Sequence, residues 1–172
     1  LLGRDSLHAG GSLALDLRGE GKDPKTMRLA GTISSDSVRY QTIEADTLLL
    51  RFAYEDGVLN LDTLLARSNV ADADAGGRAA LFDTLAASDL RAAVVLTDLL
   101  PVRKLIPNDT LILAAESGRL NARLYGPPGV LRYEATTALR SFVYNDLRIA
   151  GIEGRSAGTI DRTGSTFGTF DL

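Results

Sequence analysis

Gly11-Ser12-Leu13-Ala14-Leu15-Asp16-Leu17-Arg18-Gly19 decides how the chain is read. Leu13, Leu15 and Leu17 alternate with Ala14 and Asp16, and a period of two sends successive side chains to opposite faces of a strand. The same alternation sets Met27, Leu29 and Gly31 against Arg28 and Ala30. It sets Leu48, Leu50, Phe52 and Tyr54 against Leu49, Arg51 and Ala53. Glu55-Asp56-Gly57 then reads as a hairpin turn, because Gly accepts positive φ, and Leu59 and Leu61 follow against Asn60 and Asp62. Leu120, Ala122 and Leu124 alternate with Asn121, Arg123 and Tyr125. The pattern predicts an all-β chain of antiparallel strands. Turns are expected at Gly10-Gly11, Gly19 to Pro24, Asp56-Gly57, Gly76-Gly77, Ser117-Gly118, Gly126 to Gly129 and Gly151.

Two segments depart from this period. Ala79 to Leu90, with Leu81, Phe82 and Leu85, could be helical. Asp98 to Pro107 reads as one short helical segment: Thr97 or Asp98 caps it, Pro101 fits a first turn, and Pro107 ends it. Leu99, Val102, Leu105 and Ile106 would share a face that plugs one end of the sheet, with Arg103 and Lys104 in water.

A longer period also emerges. Gly11 to Gly19 aligns with Gly118 to Gly126, Met27 to Gly31 with Leu131 to Ala135, and Val38 to Ile43 with Phe142 to Leu147. An internal repeat of roughly 11–45 and 118–149 predicts a stack of β meanders within a single segment, 1–172. Such an array grows by adding strands and ends in unpaired edges. A sandwich would need a second, independent apolar set; here the later segments repeat the first meander instead, which favours a groove.

Composition narrows the function classes. The 172 residues are 45% apolar and 24% charged with a net charge of −3, a globular composition in one domain. Scattered Lys and Arg give no footprint for a phosphate backbone, so no nucleic-acid partner is expected. With no Cys there is no disulfide, thiolate metal site or cysteine nucleophile, and a single histidine, His8, rules out multi-imidazole sites. The longest apolar run, Ala92 to Leu96, is far short of the ~20 residues of a spanning helix, so no transmembrane segment is expected. The chain begins at Leu1 with no leader after it, and reads as a piece of something longer.

No catalytic constellation stands out. His8 near Ser6 and Asp5 lacks any orienting third group and reads as exposed. Asp72-Ala73-Asp74-Ala75-Gly76-Gly77 lacks the further ligands of a calcium loop and reads as a solvated turn. Asp161 and Asp171 are too isolated for a carboxylate pair, and Asn108-Asp109-Thr110 is a sequon by coincidence. Gly151-Ile152-Glu153-Gly154 opens no phosphate-loop pattern. The expectation is no enzyme, no cofactor and no metal.

In the order of its elements the chain resembles the AsmA-like family, most closely its TamB (translocation and assembly module) branch. The resemblance rests on the G-x-L-x-L-x-L-x-G strand, then Val38-Arg39-Tyr40 with Ile43, Leu48 to Tyr54, and Asp56-Gly57-Val58-Leu59-Asn60-Leu61. Asp98-Leu99-Leu100 with Leu105-Ile106-Pro107 and Val143-Tyr144-Asn145-Asp146-Leu147 follow. It implies an elongated antiparallel sheet curled into a half-pipe, a β-taco-like groove. It also implies a periplasmic location in the cell envelope within an inner-membrane-anchored parent. The implied partners are phospholipid acyl chains in transport toward the outer membrane, and an outer-membrane barrel protein during outer-membrane biogenesis. Two other uses are open to such a sheet: an edge that holds nascent outer-membrane strands by β-augmentation, and a structural spacer with a filled core. From the parity of each strand, the groove is expected to be lined by Leu13, Leu15, Leu17, Leu29, Leu48, Leu50, Phe52, Leu59, Leu61, Leu120, Leu124 and Leu147 on one continuous concave face.

Overall fold

A computed structural model describes residues 9–82, 86–104, 113–115, 117–161 and 166–171. The fold is all-β. One antiparallel sheet, not closed into a barrel, runs through the chain with almost no helix, consistent with a curled half-pipe. Its strands are β1 (Ala9–Glu20), β2 (Arg28–Tyr40), β3 (Ile43–Glu55), β4 (Val58–Ser68), β5 (Ala71–Ala80) and β6 (Ser88–Leu96). After α1 (Leu100–Arg103) come β7 (Leu113–Ala114), β8 (Ser117–Gly126), β9 (Val130–Tyr144), β10 (Leu147–Asp161) and β11 (Thr166–Asp171). Spatial order follows chain order from β1 to β6 and from β8 to β11, with β6 paired to β8 and β7 set aside on β9.

The hairpins show which residues turn the chain. Asp56 and Gly57 both have positive φ, 49° and 82°, as a tight two-residue turn requires. The turns after β2 and β9 have no glycine: Gln41 (φ 53°) and Asn145 (φ 51°) take the left-handed position instead. Both are two-residue turns, with Tyr40 paired to Ile43 and Tyr144 to Leu147. The stretches aligned in the sequence thus form β1–β2–β3 and β8–β9–β10, in the same order. Between β4 and β5, Ser68 Oγ accepts the Ala71 N–H and donates to its carbonyl. Asn69 ties that turn to β3 through Glu44 N–H, 3.0 Å, and the Thr42 carbonyl, 3.0 Å.

Several expected turns are strand instead. Gly10-Gly11, Gly76-Gly77 and Gly151 lie inside β1, β5 and β10. The Asp72 to Gly77 run, expected as a solvated turn, is most of β5. Ala79-Ala80 close β5 and Ser88 to Leu90 open β6, so Ala79 to Leu90 is not one helix; residues 83–85 lie outside the described set. The helical segment near 98–107 is shorter than expected, four residues from Leu100 to Arg103. Its helical N-cap is Leu99, and Asp98 acts one residue earlier, its carboxylate accepting the Leu100 N–H at 2.8 Å. Pro101 sits in the first turn, where its missing N–H costs nothing. Leu105, Ile106, Pro107, the 108–110 sequon and His8 lie outside the described residues.

The connection from β6 to β8 straps one end of the sheet. Thr42, at the β2–β3 turn, donates its hydroxyl to the Pro101 carbonyl at 2.7 Å. α1 packs against β7, and β7 pairs Leu113 with Tyr144 and Ala114 with Val143 at the end of β9. Among the described residues, the main packing partnerships are otherwise between hydrogen-bonded neighbouring strands, and no large side chain is fully enclosed. The described strands thus form one sheet, built by neighbour-to-neighbour pairing. No helix among the described residues is long and apolar enough to cross a membrane.

Candidate functional site

Residues paired directly across an antiparallel ladder lie on the same face. Register therefore fixes what each side of the sheet carries. One ladder crosses every strand of the main path: Leu17, Gly31, Phe52, Leu61 and Gly77 run over β1 to β5. Leu90, Leu124, Tyr133, Gly158 and Gly168 carry it to β11. The next ladder holds Leu15, Ile33, Leu50, Leu64 and Ala75, then Ala92, Ala122, Ala135 and Ser156. Neither ladder contains an Asp, Glu, Lys or Arg. The intervening ladders face the other way and hold the ions, as in Asp74–Ala93–Asn121–Thr136–Arg155 and Gly76–Arg91–Arg123–Glu134.

Bulges keep this segregation where simple alternation would lose it. Asp62-Thr63 on β4 faces a single step of β3, so Phe52 pairs with Leu61 while Leu50 pairs with Leu64. The extra residue returns Leu64 and Ala66 to the apolar side. β2 is bulged against β1 between Ser34 and Ser37, where Ser35 Oγ donates to the Ser12 carbonyl.

Glycines on the apolar face make room for large neighbours. Leu17 and Phe52 flank Gly31, and Leu96 and Leu139 flank Gly118. The Tyr133 hydroxyl reaches over to Gly168, two strands away. Tyr54, only 7% exposed, donates its hydroxyl to the Pro24 carbonyl, anchoring the β1–β2 connection beside the face at the end opposite the α1 strap.

Eleven of the twelve expected lining residues fall on this one face by register or strand parity: Leu13, Leu15, Leu17, Leu29, Leu48, Leu50, Phe52, Leu59, Leu61, Leu120 and Leu124. Leu147 does not join them by register. It pairs with Tyr144 beyond Ser141, whose φ of 51° interrupts the alternation, and it is 55% exposed. On the edge strand, Leu13, Leu15 and Leu17 are 65%, 57% and 48% exposed. The alternation rule missed Ile33, Leu64, Leu90, Val94, Tyr133 and Leu139, which share the face.

The opposite face is an ion-pair lattice. Directly opposed Arg28–Glu55 and Arg39–Glu44 each meet at 2.9 Å. Arg67 grips Asp74 with two nitrogens, at 3.0 and 3.3 Å. Asp89 takes Arg123 Nε at 2.8 Å and its terminal nitrogen at 2.9 Å, with Arg91 at 3.4 Å. The hydrogen bonds from Arg123, with a smaller contribution from Arg91, hold the Asp89 carboxyl at about 2. The Tyr125 phenol, under the Arg123 guanidinium, donates to Glu134 at 2.7 Å and is pushed above its ordinary value, chiefly by that bond. Shallow depressions open on this charged side. One of about 650 Å³ is lined in part by Asp74, Gly76, Arg91, Asn121, Arg123 and Glu134.

No family model matches the chain, and no curated protein and no solved structure proves similar to it.

Proposed function

We propose that the chain is a segment of an AsmA-like, TamB-type protein of the bacterial envelope. In this reading its apolar face shields phospholipid acyl chains passing through the periplasm from inner to outer membrane. The observation that carries this reading is the pair of charge-free ladders that cross the sheet, with no large side chain fully enclosed among the described residues. Its lining of Leu, Ile, Val, Ala and Gly offers few hydrogen-bond donors and so selects for hydrocarbon over headgroup. Each methylene moved from water to such a surface gains ~0.8 kcal/mol, so a 16-carbon tail exposed in water costs roughly 13 kcal/mol. A continuous apolar track removes most of that cost at every point along the path. The spacer reading needs the face filled by protein, and no large side chain among the described residues is fully enclosed.

The test is direct. The purified chain, incubated with a fluorescent 16-carbon fatty acid, should raise its emission, and phospholipid should displace the probe. Native mass spectrometry should then find phospholipid on the folded chain. A folded chain that leaves the probe dark and carries no lipid would end this reading and favour the spacer.

A further inference from the structure

The depression of about 650 Å³ on the charged face is lined from β4 to β9 and has the volume of a small-molecule site. Two of its residues, Asp62 on β4 and Arg91 on β6, carry opposite charges that are not spent on each other. Among the described residues Asp62 makes no ion pair or hydrogen bond. Arg91 has one contact, with Asp89 two residues along its own strand, at 3.4 Å. Arg123, directly across from Arg91, holds that same carboxylate more closely, at 2.8 and 2.9 Å. The Arg91 side chain is 69% exposed, and most of its five donors stay open.

Gly76 separates the two charges. It pairs with Arg91 on one side, and on the other it faces the Asp62-Thr63 bulge, between the Leu61–Gly77 and Leu64–Ala75 pairs. Its φ is not in the left-handed region. A Cβ there would lie 3.4 Å from the Leu61 carbonyl oxygen and 3.7 Å from that of Asp62, ordinary contact distances. The strand would accept a side chain at this position, and the missing one leaves the space between the acid and the base open.

β4 and β6 lie two strand spacings apart, about 9–10 Å, and side chains stand roughly perpendicular to a sheet, so the acid and the base face each other across about that span. Two charge-assisted hydrogen bonds of about 2.8 Å each leave about 4 Å between them, the reach from ammonium to carboxylate within one α-amino acid. A lone anion would be repelled by Asp62 and Asp74, and a lone cation by Arg91 and Arg123. Past Ala93 the lining continues with Asn121 and Thr136, whose amide and hydroxyl suit an uncharged polar group.

We infer that this depression binds a free α-amino acid with an uncharged polar side chain, its ammonium held by Asp62 and its carboxylate by Arg91. The inference does not use the apolar face, so it stands or falls separately from lipid binding.

The test is calorimetric titration of the full 172-residue chain with L-glutamine. N-acetylglutamine lacks the ammonium and glutamine α-amide lacks the carboxylate; each should bind about tenfold more weakly. Asp62→Asn and Arg91→Gln should each weaken L-glutamine about fivefold and erase one preference. The first variant should no longer distinguish glutamine from its N-acetyl form, and the second should no longer distinguish it from the α-amide. Gly76→Val should close the gap and abolish binding while the urea transition persists. Gly76→Ala, a smaller filling, covers the case in which valine disturbs folding, and should weaken binding about threefold. The inference is overturned if the folded wild-type chain does not bind L-glutamine, if either blocked form binds as tightly, or if a folded Gly76 variant binds as before.

Discussion

Leu17 and Phe52, on strands separated by β2, close over the same residue, Gly31. The gap in the ladder lets two large side chains lean together without leaving the apolar face. A second glycine on that ladder, Gly77, has a different reason to be there. Its φ is +125°, and a Cβ would run into the Asp89 carbonyl of the neighbouring strand.

The same substitution should therefore have unequal effects. Gly31→Ala meets only side-chain atoms, the tip of half-exposed Leu17 and the rim of the Phe52 ring, which can shift, so it should cost about 1 kcal/mol. Gly77→Ala meets backbone in a left-handed conformation and should cost about 1–3 kcal/mol. Urea unfolding of the two variants side by side checks the order; equal losses would contradict it.

Leu50→Arg and Leu61→Asp place a charge on the apolar face. Leu50 and Leu61 are only part-buried, so a charge there keeps some of its hydration and costs folding well below what a charge sealed in a core does. Fatty-acid binding should fall at least fivefold in each variant while a cooperative unfolding transition survives. Complete loss of folding in both would favour a filled interior.

Asp89 predicts an acid signature. Its carboxyl is ordinarily near 3.8 and is held at about 2 in the folded chain by Arg123 and Arg91. A carboxyl depressed on folding stabilises the fold above the ordinary value and loses that contribution as pH falls through the depressed one. The urea midpoint of Asp89→Asn should therefore lie below that of the wild type at pH 6, and the two should converge between about pH 4 and 2. A constant gap down to pH 2 would contradict the arrangement.

The strap at the end of the sheet predicts a local effect. Thr42→Val removes the hydroxyl that holds the Pro101 carbonyl and should cost about 0.5–1.5 kcal/mol. Amide exchange should rise around α1 and the β2–β3 turn and stay unchanged at the distant Asp56-Gly57 turn. A uniform rise would mean that α1 is not held there.

The strands legible in the sequence are those whose two faces differ in chemistry. β1, β3 and β8 alternate Leu or Phe with Ala, Asn, Asp or Arg, and their apolar-face residues follow from parity alone. β6 conceals its faces because Ala92-Ala93-Val94-Val95 is apolar on both sides; only pairing with β5 and β8 puts Val94 on the apolar face and Val95 on the charged one. β5 does alternate, Ala71, Ala73 and Ala75 against Asp72 and Asp74, but the Gly76-Gly77 that follows looked like a turn. Those glycines instead permit close approach within a strand. Leu64 was missed because a bulge shifts the period by one, and bulges leave little trace in composition. The hairpins at Gln41 and Asn145 were missed because a non-glycine residue takes the positive φ. The single lining residue that register leaves out, Leu147, lies just past such a turn, where alternation can no longer be counted.

Strand order that tracks chain order has a mechanical consequence. Each strand leans mainly on the one before it and the one after it, so the sheet comes apart as a row of links rather than as a knot. Loosening an outer strand frees one interface and leaves the rest intact, whereas opening the middle means breaking two halves at once. Slow amide exchange should therefore peak around β5, β6 and β8 and decline strand by strand toward β1 and β11, which leaves the outermost strands the most ready to exchange one neighbour for another.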